Sequence, residues 1–275
     1  HGKLIIGSET CPLHSPITFT FVATKAEIGW FSNGIMVQGT GAMDAYGTRS
    51  DITWTRLSAT ARRGSKYLTL QDSADWGVGE EIVVTTSIWR DLEDNQNEVR
   101  RIAAVSHDGR VLVLDKSLNH SHYGGEEYQC EVGLLTRSIL FRGWENGYAD
   151  NYGGHTMAIG PQTKYRLVAV KAQRMGQRNV VARYPFHQHL MGDVVGGRSF
   201  YHQLACQDCY YRCAVIHQTN GTLLRKSVAF NVTAHTYYLE EGVEMNNRIE
   251  FNLAAYIHPI GRPAKGGAQT GEELV

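Results

Sequence analysis

The stretch "LACQDCYYRCAVIHQTNGTLLRKSVAFNVTAHTYYLEEGVEMNNRIEFNLA", residues 204–254, holds three short segments built on one pattern. "LACQDC" from Leu204, "VAFNVT" from Val228 and "IEFNLA" from Ile249 each read as an apolar residue, two residues, Asn or Gln, and two more. Their starts lie 24 and then 21 residues apart. A repeat in the low twenties is the length of one coil of a parallel β-helix, whose coils bury their apolar faces only by stacking on one another. Successive coils then lie about 4.8 Å apart, so equivalent residues form ladders along the solenoid. This register predicts an inward amide ladder of Gln207, Asn231 and Asn252, bonded from coil to coil.

The same register lays "PFHQHL" (185–190), "VIHQTN" (215–220) and "YLEEGV" (238–243) on one another, making His187, His217 and Glu240 equivalent. Strand side chains alternate, so His189 faces the same side as His187, with Thr219 and Gly242 as its mates on later coils. The histidines His187, His189 and His217, a carboxylate from Glu240 or Asp193, and His235 nearby make a candidate ligand set for a divalent metal. Imidazole with carboxylate suits Zn, Mn, Fe or Ni better than Ca, which takes oxygen ligands. A metal held there polarises a substrate oxygen or lowers the pKa of water. Without metal, Glu240 and Asp193 are the candidate acid and base of glycoside hydrolysis, because the consecutive Glu240 and Glu241 point to opposite faces. Arg183 offers a planar fork to a sugar carboxylate, or pairs with Asp193. The competing reading makes the histidines a ladder that braces coil against coil. Cupin barrels share the H-x-H spacing, but that fold does not account for a stacked repeat.

Outward from this region the chain reads as all-β. It has 29 Gly, 6 Pro and many short β-branched or aromatic runs, among them "KLIIGS", "ITFTFVAT", "KYLTL", "EEIVVTT" and "RVLVLD". "SHDGRVLVLD" predicts a hairpin turned at Asp108-Gly109. "LEDNQNEVRRIAAV" is the nearest approach to a helix and reads as a polar loop running into a strand. A second H-x-H, His120 and His122 in "NHSHYGG", reads as a loop with metal binding as its weaker alternative, and His155 as an extension of the His ladder. Trp54, Trp76 and Trp89 are expected in the core, with sugar stacking as the alternative. Cys206, Cys209 and Cys213 suit packing or a disulfide better than zinc, which wants four ligands in separated pairs; Cys11 and Cys130 complete an odd set of five. Asn119, Asn220 and Asn231 begin N-x-[ST] glycosylation sequons.

Seven segments in order, "GKLIIGSETCP", "WTRLSATARRGSKYLTLQDSADWGVGEEIVV", "EVGLLTRSILFRG", "GGHTMAI", "GQRNVVARYPFHQHLMGD", "CAVIHQTNG" and "AHTYYLEEGVEMNN", carry a family resemblance over residues 2 to 255. They resemble the extracellular region shared by cell-migration-inducing hyaluronidase, its transmembrane relative, fibrocystin and the fibrocystin-like proteins. The resemblance implies an all-β fold, a right-handed parallel β-helix preceded by the later part of an eight-glycine β domain. On that basis residues 1–30 are expected to be the later part of the eight-glycine domain, 31–143 a β-rich connecting region, and 144–275 the β-helix repeats. It also implies a piece of a longer protein, with any export signal or anchor outside this chain. The animal members imply hyaluronan breakdown, and the fibrocystin-like members a surface protein with no assigned reaction. Where relatives commonly carry Glu-Asp-Gly, this chain has Glu240-Glu241-Gly242.

Lys plus Arg and Asp plus Glu balance at 27 each, so the chain has no net pull toward nucleic acid or an anionic membrane. No apolar run approaches the roughly 18 residues of a spanning helix. Two functions remain. One is an extracellular or cell-surface glycoprotein module whose metal-loaded His ladder binds or depolymerises an acidic polysaccharide, as a metal-dependent, hyaluronan-type hydrolase. The other is a non-catalytic surface or matrix module that contacts other glycoproteins and assembles with other chains.

Overall fold

The computed structural model describes residues 2–22, 33–145 and 151–260, which form 23 strands and no helix. Two compact units result, one from residues 1–48 with 137–275 and one from 49–136.

Among the described residues the larger unit is a parallel β-helix of six coils; the first five contribute one strand to each of three sheets, and the sixth is described for the first two sheets. The first coil is β1 (Lys3–Ile6), β2 (Ile17–Phe21) and β3 (Gly34–Gln38). The second is β4 (Ala42–Tyr46), β11 (Ile139–Gly143) and β12 (His155–Ile159), and the third is β13 (Lys164–Val168), β14 (Val170–Gln173) and β15 (Phe186–Asp193). The fourth is β16 (Ser199–His202), β17 (Ala205–Cys209) and β18 (Ala214–Asn220); the fifth is β19 (Leu223–Arg225), β20 (Val228–Thr233) and β21 (Tyr237–Leu239). The sixth is β22 (Arg248–Glu250) and β23 (Leu253–His258). Strands from residues 3–21 and 34–46 lie in the same three sheets as the later repeats.

Inward side chains fill the coils with an apolar core. Tyr165, Tyr201 and Leu224 come from the first sheet, Phe141, Ala172, Cys206 and Ala229 from the second, and Ala158, Phe186 and Ile216 from the third; all are fully buried. Each large side chain so buried contributes about 1.5–3 kcal/mol. At the corner from the first sheet to the second, one residue in left-handed conformation turns the chain: Ala169, Gln203, Lys226 and Phe251, with φ of 51°, 57°, 52° and 54°. The same corner between β4 and β11 carries the whole second unit as an insertion. Where the insertion returns, the buried Arg137 donates from Nε to the Gln203 carbonyl at 2.7 Å, tying the second coil to the fourth.

The register corrects the predicted amide ladder by one residue. Val228 pairs with Ala205, so Asn231 stands opposite Asp208, and its Nδ2 donates to Asp208 Oδ1 at 2.7 Å. Asn252 lies outside that ladder. At the next corner its Oδ1 accepts from Ser227 N–H, and its Nδ2 donates to the Leu224 carbonyl. Tyr201 pairs with Leu224 and Leu224 with Ile249, so the spacings are 23 and 25 residues. "IEFNLA" runs from a first-sheet strand through a corner into the second sheet, whereas the other two segments lie along the second sheet, so similar sequences are out of register.

The smaller unit is one antiparallel sheet in the order β5 (Trp54–Arg56), β10 (Glu131–Leu134), β7 (Glu81–Val84), β8 (Glu98–Val105), β9 (Val111–Leu114) and β6 (Tyr67–Thr69). The β8–β9 hairpin turns at Asp108-Gly109 as expected, with Gly109 at φ +69°. A Cβ at Gly109 would stand 2.4 Å from the Ala74 carbonyl, so no other residue fits there. "LEDNQN" is indeed loop and "EVRRIAAV" the strand β8.

Candidate metal centre

The third sheet positions the histidines. Phe186 and Gln188 point into the coil, where Gln188 Nε2 donates to Ser199 Oγ. Alternation therefore turns His187 and His189 outward. His189 pairs with His217, and the register of Ile216 with Leu239 carries on to set His217 beside Glu240. His187 pairs instead with Val215, one alternation back. The equivalence of His217 and Glu240 was read correctly, whereas the mate of His217 on the preceding coil is His189, not His187. Thr219 and Gly242 are accordingly not the mates of His189. Straight pairing ends immediately after this ladder, at left-handed residues Gly39, Gly160, Leu190 and Gln218. After Leu190 the β15–β18 register shifts before resuming at Gly192.

The outcome is a compact group of donor atoms. One ligand atom from each of His187, His189 and His217 lies within 4.8 Å of the others, close enough to hold one metal ion. Glu240 Oε2 stands 3.5 Å from both His187 Nε2 and His217 Nδ1. Nitrogen and oxygen ligands at about 2.0–2.2 Å around a tetrahedral metal stand roughly 3.3 Å apart, close to those separations. His217 Nδ1 and His189 Nδ1 are nearer, at 2.8 Å, a hydrogen bond in which one ring carries the proton. His187 Nε2 and Glu240 Oε2 are buried and make no hydrogen bond, although they face each other. Buried polar atoms rarely stay unsatisfied without a reason.

The far side of each group is held. His187 Nδ1 lies 3.3 Å from the Ala182 carbonyl, and Glu240 Oε1 accepts from Tyr184 Oη at 2.7 Å. His217 Nε2 lies 3.0 Å from Glu241 Oε1. Such outer contacts fix ring orientation and tautomer in metal sites. Burial raises the Glu240 carboxyl, but His187, Tyr184 and His217 outweigh it and bring its pKa down to about 2. Burial, and then the neighbouring His187 and His217, take His189 down to about 4. Burial likewise lowers His187 against the opposing pull of Glu240. At neutral pH the group is thus ionised Glu240 beside unprotonated His187 and His189, the states that ligate metals.

The other sequence candidates have other surroundings. Asp193 lies beyond the register shift and its Oδ1 accepts from Asn220 Nδ2. Arg183 is buried and its Nη1 donates to His155 Nε2 at 3.4 Å and to Gln177 Oε1 at 3.3 Å. His235 stacks on Tyr238, ring centroids 5.0 Å apart. His122 is fully buried in the smaller unit between the Thr85 carbonyl and Glu98. Cys206 and Cys213 form a disulfide and Cys209 is a buried free thiol. Trp76 is in the core with Nε1 donating to the Ile52 carbonyl, whereas Trp89 is 84% exposed. Tyr184 and Arg212 were missed. Nothing in "ARYPFHQH" or "YYRCAV" marks them, because their role depends on a carboxylate two coils from Tyr184 and one from Arg212.

The family model described as G8 domain matches residues 1–58, and the one described as CEMIP beta-helix matches residues 151–271. A G8 domain-containing protein of Dictyostelium discoideum is 43% identical over 280 residues, covering 98% of this chain and 19% of that protein. Protein rliB of the same organism is 40% identical over 276 residues, covering 98% and 24%. Human Fibrocystin-L is 29% identical over 304 residues, covering 93% and 7%. The chain thus spans a quarter or less of the length of these relatives. Among solved structures, the Pseudomonas phage phi297 tailspike gp61 covers 92% of this chain and 38% of its own at 9% identity, with a TM-score of only 0.30. The chain thus carries a G8 domain match at its start and a CEMIP beta-helix match over its repeats, and is related over this length to G8 domain-containing proteins and to Fibrocystin-L.

Proposed function

We propose that His187, His189, His217 and Glu240 bind one divalent metal, Zn, Mn, Fe or Ni in preference to Ca, and that the loaded site binds or cleaves an acidic polysaccharide on the outer face of the β-helix. The observation that carries the metal is the facing pair of buried atoms, His187 Nε2 and Glu240 Oε2, neither hydrogen-bonded and each braced from behind. Three nitrogens and one oxygen are a donor set for a borderline cation. Bound there, the metal supplies Lewis acidity toward a sugar oxygen or a bound water. The rim carries Glu241 and Glu244, which repel a polyanion, so the cation is what offsets them for a uronate carboxylate. Polysaccharide as the substrate class rests on the resemblance to hyaluronidase-type surface proteins. An extracellular or cell-surface setting is consistent with the Cys206–Cys213 disulfide, since such bonds persist in oxidising compartments. Asn119 is the exposed sequon, while the amides of Asn220 and Asn231 are engaged in bonds between coils.

A second reading has its own observation. The His189–His217 and His217–Glu241 bonds already join successive coils, as a bracing ladder in a non-catalytic surface module would. Elemental analysis of protein purified without chelator or nickel resin separates the two. One metal per chain, absent from a His187→Ala, His217→Ala variant, supports the metal site, and depolymerisation of hyaluronan by the loaded protein would then support the hydrolase. No metal in either protein, with the variant less stable, leaves the bracing ladder.

A further inference from the structure

Arg212 is the largest fully buried side chain among the described residues. Its guanidinium lies 3.9 Å from the ring centroid of Tyr238, 5.1 Å from that of Tyr211 and 5.4 Å from that of Tyr184. Three aromatic faces compensate the charge in part, since a cation over such a face is attracted by the ring quadrupole. A buried cation still requires a counter-charge or bonds to fixed dipoles. Arg212 Nη1 donates to Tyr184 Oη at 3.0 Å, and Tyr184 Oη donates to Glu240 Oε1 at 2.7 Å. The guanidinium itself stays 3.9 Å from that oxygen, beyond a direct hydrogen bond.

The direction of this chain is set by chemistry. Arg has no acceptor, so Tyr184 Oη must accept from it and direct its single proton to Glu240. With Oε1 held this way, Oε2 is the oxygen turned toward His187 and His217. The sequence supports the same placement. Arg212 adjoins Cys213, whose disulfide to Cys206 closes the loop bearing Tyr211 and Arg212, and Cys213 leads directly into β18, the strand of His217.

We propose that Arg212, acting through the hydroxyl of Tyr184, is a positioning residue of the metal centre: it fixes which oxygen of Glu240 is presented to the histidines. This rests on the metal reading above. It concerns the conformation of a ligand and not the fold, so it has a signature that a packing role lacks.

The test is titration of the full chain with Co2+, read by visible absorption, in wild type and in Tyr184→Phe, Glu240→Ala and the double variant. Tyr184→Phe removes only the hydroxyl and keeps the ring that stacks on Arg212. It is expected to weaken Co2+ binding 10–100-fold, the usual cost of losing an outer-shell partner. In the Glu240→Ala background the same change is expected to have no further effect, because the positioned group is gone. Arg212→Met is expected to match Tyr184→Phe if it folds. Equal affinity of Tyr184→Phe and wild type would overturn the proposal alone, as would an equal loss in the presence and absence of Glu240. Failure of wild type to bind Co2+ would overturn the metal reading and the proposal with it.

Discussion

The β-helix and the inserted antiparallel unit each hold an H-x-H motif with one fully buried histidine beside a glutamate, and they use the pair in opposite ways. In the insertion, His122 Nδ1 lies 2.7 Å from the Thr85 carbonyl and Nε2 lies 3.0 Å from Glu98 Oε1. Glu98 also accepts the backbone N–H groups of Asn119 and His120 and pairs with Arg100. Both ring nitrogens and both carboxylate oxygens are occupied. In the β-helix, His187 Nε2 and Glu240 Oε2 are left over, pointing at each other from 3.5 Å among two further imidazoles. A satisfied buried pair is a strut, whereas an unsatisfied one with its back secured is a socket. Residue type and H-x-H spacing do not separate these cases; the count of remaining hydrogen-bond partners does.

The comparison breaks most sharply on metal content. His187→Ala with His217→Ala is expected to take bound metal from about one per chain to none, while His122→Ala leaves it unchanged; loss in His122→Ala would mean the two sites had been assigned the wrong roles. His122→Ala is expected instead to destabilise the insertion by about 3 kcal/mol in urea unfolding, the low end for breaking a buried pair, because Glu98 keeps its other donors. A loss below about 1 kcal/mol would remove His122 as a strut.

Acid sharpens the contrast. Burial raises the Glu98 carboxyl, but the backbone N–H of Asn119 and its other partners more than reverse this and hold it below its ordinary value near 4.5. A lowered carboxylate stabilises the fold above that value, so the insertion should lose stability only as pH falls below about 4.5. His189, lowered from 6.5 to about 4, is a base the unfolded chain protonates first. Its contribution is complete above pH 6.5 and is lost as pH falls toward 4, so the metal-free β-helix should weaken in this higher window. Unfolding monitored separately for the two units across pH 3–8 checks the order, and a common midpoint would contradict it. The smallest effect is expected from Glu241→Gln, whose partner His217 keeps a hydrogen-bonding group at Nε2. Metal affinity should fall less than tenfold, and a larger fall would make Glu241 itself a ligand.

The repeat of "LACQDC" and "VAFNVT" made the solenoid legible because equivalent coil positions face one interior and select the same residue types. The hairpin at Asp108-Gly109 was legible for a local reason, since the turn needs a positive φ and no Cβ. H-x-H with a later acid was enough to collect His187, His189, His217 and Glu240 as candidates. What the sequence left open was register. Its coils differ in length at their loops, and a slip of one residue changes which side chains are neighbours. Pairing in the third sheet made His189, and not His187, the mate of His217, and pairing in the second sheet aligned Asn231 with Asp208 and not with Gln207. Alternation and composition are carried by each strand alone, so the sequence by itself determined an all-β stacked-coil protein with an outward histidine face. Only the tertiary structure decided that Tyr184 and Arg212 stand behind Glu240, that His122 is fully bonded and that His187 is not. Those facts depend on groups brought together from separate coils and loops, and no local pattern records them.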